Sequence, residues 1–144
     1  MATTVEYIRA APEQVFTVLE DPYTYAYWVV GCKRIRAVED RWPEPGSKFH
    51  HTIGIGPLAT RDDTRVVRIE SPRLLELEAH GWPAGAARVT LRLEGGEHGT
   101  RVEMTEVPTQ GPAKWLDNPV LEAATHARNT VALRRLARLA EGRL

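Results

Sequence analysis

The stretch Asn118–Arg143, NPVLEAATHARNTVALRRLARLAEGR, decides the fold. It holds no internal Gly or Pro between Pro119 and Gly142, and it is rich in Ala, Leu and Arg, all strong helix formers. Asn118 is placed to cap the start, with Pro119 at the first helical position and Gly142 as the stop. A helix of about 23 residues is roughly 35 Å long, enough to span a small domain. In its second half Ala132, Leu133, Leu136, Leu139 and Ala140 share one side, opposite Arg134, Arg135, Arg138 and Glu141. Followed backwards in steps of three and four, that stripe passes through Asn129, then Thr125 and His126, then Glu122. The inner face is thus apolar at one end and polar at the other. Two readings stand. The polar half roofs an incompletely packed space, or the helix turns its contact face onto Val120, Ala124, Ala127 and Val131.

The rest of the chain explains what such a helix packs on. Thr3 to Arg9 alternates as a strand, with Val5 and Tyr7 on one side and Thr4, Glu6 and Ile8 on the other. Pro12 opens a short helix with the apolar stripe Val15, Phe16 and Leu19, and Asp21-Pro22 separates it from a second one through Trp28. Strands follow over Cys32–Asp40, Ser47–Ile55, Leu58–Glu70 (with a bulge expected at Asp62-Asp63), Leu74–Ala79, Ala87–Glu94 and Val102–Glu106. Trp42-Pro43-Glu44-Pro45-Gly46, Ser71-Pro72-Arg73 and Gly95-Gly96 to Gly99 are the turns. Successive strands joined by turns are antiparallel. The expected fold is α+β: a curved antiparallel sheet of about seven strands, two short helices after the first strand, and the long C-terminal helix. Without repeats or linkers, residues 1–144 read as one domain.

Composition narrows the function classes. The 144 residues balance 19 Lys and Arg against 19 Asp and Glu, so nothing draws the chain as a whole to nucleic acid. The arginines of the last helix read as a solvated face. One cysteine, Cys32, excludes an internal disulfide and a cysteine-based zinc site, and reads as a small apolar filler. His50 and His51 point to opposite faces with no third ligand at suitable spacing, so no metal or other cofactor is expected. No apolar run is long enough for stable membrane insertion, and the first residues lack a signal-peptide core, which makes the cytoplasm the expected location.

Ala11-Pro12-Glu13-Gln14-Val15-Phe16, Leu19-Glu20-Asp21-Pro22 with Trp28, the Pro45-Gly46 turn, Gly99-Thr100-Arg101-Val102, and Arg128-Asn129 followed by Leu133-Arg134-Arg135-Leu136 together resemble the START-related SRPBCC superfamily. This is the helix-grip fold of pollen-allergen-type and polyketide cyclase/dehydrase-like proteins. The resemblance covers the whole chain and includes no catalytic signature. It implies a hydrophobic cavity between the sheet and the last helix. Members bind lipids, hormones, flavonoids or polyketides, and some catalyse cyclisation or dehydration; fold alone does not choose among these.

Residues that face such a cavity follow from the alternation. His51 shares a face with Phe49, Ile53 and Ile55; a neutral imidazole there serves as a hydrogen-bonding group or general base, or as a bonded core histidine. Glu106 lies on the side of Val102 and Met104, either inside, as an acid, or already at a solvated rim. His126 and Asn129 share the roof, or tie the helix to a loop. Trp28, Trp82 and Trp115 fall near element ends, where they close the mouth or seal the core edge. Trp42 reads as a hairpin or surface contact, and Asp62 and Asp63 as cross-strand partners of Arg61 or Arg65. The expected ligand-binding set is Trp28, His51, Ile53, Met104, Glu106, Trp115, His126 and Asn129. The leading expectation is a binder of a small hydrophobic or aromatic ligand. The alternatives are a polyketide cyclase or dehydratase that uses His51 and Glu106 as catalytic acid and base, and a partner-binding module with a filled cavity. The oligomeric state is expected to be monomer or homodimer.

Overall fold

A computed structural model describes all residues except 56, 82–84, 112–117 and 143–144. Seven strands form one antiparallel sheet: β1 (Ala2–Ile8), β2 (Cys32–Val38), β3 (Lys48–Ile55), β4 (Leu58–Glu70), β5 (Leu74–Gly81), β6 (Gly85–Gly96) and β7 (Gly99–Gln110). Their order is β1-β7-β6-β5-β4-β3-β2. Every neighbour from β2 to β7 is next in sequence. Only β1 pairs with a distant strand, in a register that sets Ala2 opposite Glu106 and Ile8 opposite Thr100. Between β1 and β2 lie α1 (Pro12–Glu20), a 3-10 turn (Pro22–Thr24) and α2 (Tyr25–Trp28); α3 (Pro119–Ala140) closes the chain. This is the helix-grip fold.

Local chemistry accounts for the helix boundaries. Pro12 occupies the first position of α1, and the Gln14 side chain accepts from the Ala11 amide at 2.9 Å. Asp21 ends α1 and caps the next turn by accepting from the Tyr23 amide. Asn118 caps α3 through its side-chain oxygen, 2.8 Å from the Val120 amide, which satisfies one of the donors left over at a helix start.

The core lies on the concave side. Val15, Phe16 and Leu19 of α1, Trp28 of α2, Phe49, Val66, Leu75, Leu77, Leu91 and Val102 of the sheet, and Leu133 and Leu136 of α3 are all buried there. On α3 the contact face is Ala132, Leu133, Leu136 and Ala137, with Leu139 and Ala140 half-buried. Val120, Ala124, Ala127 and Val131 are exposed, so the helix does not rotate onto that face. On β1 the buried side chains are Ala2, Thr4 and Ile8, whereas Val5 and Tyr7 are exposed. Small side chains at Ala2 and Thr4 let the helix approach the strand.

Two expectations are corrected, and a third is decided between its alternatives. Asp62 and Asp63 carry no bulge: they pair in unbroken register with His51 and His50, and the irregularity in β4 falls at Val66–Arg68, against β5. Trp42 makes the hairpin contact, half-buried in the turn between β2 and β3. Its ring packs edge-on against Phe49 at 5.0 Å and its indole nitrogen donates to the Glu20 carbonyl. Asp63 pairs with His80 at 2.9 Å and Asp62 accepts from Thr60, while Arg65 turns to Glu78. Gly99 is required by geometry. Its φ is +141°, and a Cβ there would lie 2.1 Å from the Ile8 carbonyl oxygen, in a region L residues avoid.

The grip makes Leu136 a sensitive position. Leu136→Ala is expected to lower stability in urea by about 2–5 kcal/mol, and Val131→Ala on the exposed side by less than about 0.5 kcal/mol. Equal losses at the two sites would contradict this orientation of α3.

Candidate functional site

The concave face carries two separate groups of polar side chains, on opposite walls. The first is centred on β3. Strand alternation turns Phe49 and His51 inward, and both are buried, with Ile53 half-buried beyond them. The side chain of Ile55 belongs to the residues not described. His51 Nε2 lies 3.0 Å from Thr64 Oγ1 on β4, itself buried. The other ring nitrogen, Nδ1, is enclosed and has no hydrogen-bond partner among the described residues. Burial holds the imidazole below its ordinary pKa, against the opposing pull of the Asp63 backbone and the Asp62 and Asp63 carboxylates. His51 is therefore neutral near pH 7.

An aromatic row leads away from it. Phe49 packs on His51 with ring centroids 5.6 Å apart, Tyr25 on Phe49 at 5.0 Å, and Trp28 on Tyr25 at 4.8 Å. The Tyr25 hydroxyl is satisfied by the Leu19 carbonyl at 2.8 Å, and burial pushes its pKa up. Trp28 is only 1% exposed, and its indole N–H has no partner among the described residues. Cys32, beside this wall, is half-buried, its thiol pushed up to about 11 by burial; it has the character of an inert filler.

The second group is centred on β7 and α3. Met104 is buried, and Glu106 beyond it keeps 14% of its side chain exposed. Arg128 bonds one Glu106 oxygen at 2.5 Å, and Asn129 Nδ2 approaches the other at 3.4 Å. Asn129 is 2% exposed and also lies 3.4 Å from Arg128 Nε through its oxygen. His126 is exposed; its Nδ1 sits 3.0 Å from Thr4 Oγ1 and ties α3 to β1. Glu122 takes the N-terminal ammonium at 3.0 Å. Leu121 and Thr125 lie on the same helical stripe as Asn129, Ala132 and Leu136, yet Leu121 is exposed and Thr125 half-buried. The stripe is sealed at its C-terminal end and open at its N-terminal end.

These positions sort the expected residues. Trp28, His51 and Ile53 form one wall; Met104, Glu106 and Asn129 form the other; His126 serves as an edge tie. Trp115 and Trp82 lie outside the described residues. The walls are far apart along the sheet. β4, β5 and β6 separate β3 from β7, about 19 Å at the usual strand spacing, so His51 and Glu106 meet only through whatever lies between them. Sequence reasoning missed Thr64, Arg128, Thr4 and Tyr25. Thr64 was discoverable, since it alternates with Val66. Arg128 was not, because a long side chain next to Asn129 can reach either way. A surface pocket of about 470 Å³ lies elsewhere, against β1 and the β6–β7 turn, lined by residues including Arg9, Glu94, His98 and Arg101. Among the described residues no three His, Cys, Asp or Glu side chains gather as a metal site, and no helix is long and apolar enough to cross a membrane.

Residues 2–141 match the family described as "Polyketide cyclase / dehydrase and lipid transport". The chain belongs to this family. No curated protein matches the sequence. Among solved structures, the family member superposes with TM-score 0.75 on protein NE0264 from Nitrosomonas europaea, at 15% identity over 97% of this chain and 93% of that one. It superposes with TM-score 0.74 on Ara h 8.0201, at 12% identity over 97% and 96%. A third likeness is to the di-domain ARO/CYC StfQ from the steffimycin biosynthetic pathway: TM-score 0.72, 14% identity, 97% of this chain and 50% of that one. At these identities the likeness is one of fold.

Two measurements probe the walls. Asn129 bonds side chains that already hold each other, so Asn129→Leu is expected to change stability by less than about 1 kcal/mol, whereas Arg128→Met, which strands a mostly buried carboxylate, costs about 1–3 kcal/mol. Urea midpoints check both, and a sharp drop at Asn129→Leu would contradict this reading. His51 titrates below its unfolded value of 6.5. As pH falls through about 6.5 the unfolded chain takes up the proton first, so folding loses stability below that pH. The wild type should therefore lose more stability between about pH 7 and pH 5 than His51→Gln, as read by thermal unfolding at each pH. Parallel curves would contradict it.

Proposed function

We propose that residues 1–144 act as one domain that binds a small hydrophobic or aromatic ligand between the concave face of the sheet and the N-terminal half of α3. One observation carries the reading. The C-terminal half of the helix packs Leu133 and Leu136 until neither is exposed, while Leu121, on the same stripe, stays exposed above the wall of Met104, Glu106 and Asn129. An apolar lining with a few inward polar groups is what a small-molecule site needs. The family description, which includes lipid transport, and the ARO/CYC designation of StfQ agree in kind with such a ligand.

An acid/base cyclase that pairs His51 with Glu106 is supported less. Glu106 is engaged by Arg128 and approached by Asn129, and it stands on the wall opposite His51, so the two do not converge on one reacting group. The lack of a membrane-crossing helix among the described residues fits a cytoplasmic binder, as monomer or homodimer.

Fluorescence titration with naphthalene-type probes tests the proposal. Saturable one-to-one binding is expected, weakened at least about tenfold in Leu121→Trp, whose ring would fill the open end of the stripe. No saturable binding by the folded wild type would favour a filled core and overturn the proposal.

A further inference from the structure

We infer that Trp28 and His51 form a polar pair that selects an uncharged, oxygen-bearing ligand over a carboxylate. The inference rests on the binding reading above and names the chemistry of the ligand. The Trp28 indole N–H is a donor only. It is buried and without a partner among the described residues, while the buried Tyr25 hydroxyl of the same segment is satisfied. His51 Nδ1 is likewise enclosed and unpartnered, while Nε2 is occupied by Thr64. A buried polar group left unpaired opposes folding, and two of them occupy the two ends of a single aromatic row, Trp28–Tyr25–Phe49–His51. A ligand oxygen that reaches this row satisfies the indole donor. A second oxygen satisfies Nδ1 as a hydroxyl in either tautomer, and as a carbonyl when Nδ1 carries the proton.

The charges around the pair decide against an anion. Arg36, the cation acting on His51, spends its guanidinium on the His51 and Asp62 backbone carbonyls. The carboxylates that act on His51 are those of Asp62 and Asp63, and they repel an anionic ligand. A carboxylate brought here would shed its hydration against Phe49, Tyr25 and Trp28 while Arg36 is already engaged by backbone carbonyls. Since both ring nitrogens are enclosed, the ligand must displace the side chains that cover them, so its oxygen competes with packing and not with water.

The test compares naphthalene, 2-acetonaphthone and 2-naphthoate by fluorescence titration at pH 7.5. The ketone is expected to bind about two- to tenfold tighter than naphthalene, the worth of one neutral hydrogen bond, and the naphthoate more weakly than either. Trp28→Phe and His51→Leu should each bring the ratio of ketone to naphthalene affinity toward one, read within each variant. Because Trp28→Phe also opens space in the core, the indole N–H resonance of Trp28 in the wild type is followed in parallel. It should move downfield with the ketone and stay in place with naphthalene. If all three probes bind alike, or the resonance does not distinguish them, the selectivity is overturned while ligand binding stands. If none of the three binds, both fall.

Discussion

The contact on which the structure depends is the docking of the C-terminal half of α3. Leu133 and Leu136 are completely buried, flanked by Ala132 and Ala137. The helix meets β1, α1 and α2, so this one apolar patch joins the sheet edge to the N-terminal helices. β1 in turn joins the sheet through β7 alone. Loss of the patch would therefore loosen the helix and an edge strand together. Its small residues are as necessary as its large ones, because Ala132 and Ala137 let the helix lie close enough for both leucines to reach the core.

The other half of the helix is held differently. Its ties are polar and stand at the margin: His126 to Thr4, Glu122 to the N-terminus, Arg128 to Glu106. The exposed tie of Glu122 to the N-terminus holds position at little net stability, whereas Arg128 also satisfies the mostly buried Glu106 carboxylate. These ties keep the helix above the sheet without pulling its inward stripe into a packed core. A helix anchored by burial at one end and by polar ties at the other is free to admit something between itself and the sheet, and the polar side chains of the two walls lie on either side of that space.

The convex face explains why a chain with 19 basic residues carries its charge unobtrusively there. Arg88 bridges Glu76 and Glu78, Arg65 meets Glu78, and His80 lies between Asp63 and Glu78. These pairs run across β4, β5 and β6, on the side opposite the core. Charge is matched locally as well as in total, which leaves the uneven electrostatics to the concave side.

Periodicity in the sequence determined the elements themselves: the long capped helix, the Asp21-Pro22 break, the strands between β2 and β7, the inward side of His51, Met104 and Glu106, and the burial of Leu136. Each follows from a local rule, a 3.6- or 2-residue repeat or a cap, that needs no knowledge of neighbours. Tertiary structure decided the rest. Thr4 and Ile8 face inward on β1, with Val5 and Tyr7 outside, because the helix crosses that strand, and alternation by itself does not say which side is covered. Trp42 packs half-buried against the core because Phe49 and the Glu20 carbonyl meet it there. Asp63 finds His80 and Glu106 finds Arg128 across long sequence separations, through side chains long enough to choose among several partners. That Trp28 Nε1 and His51 Nδ1 are among the atoms with no hydrogen-bond partner among the described residues is the last thing packing settles, because an atom is left without a partner only once every other group has found its place.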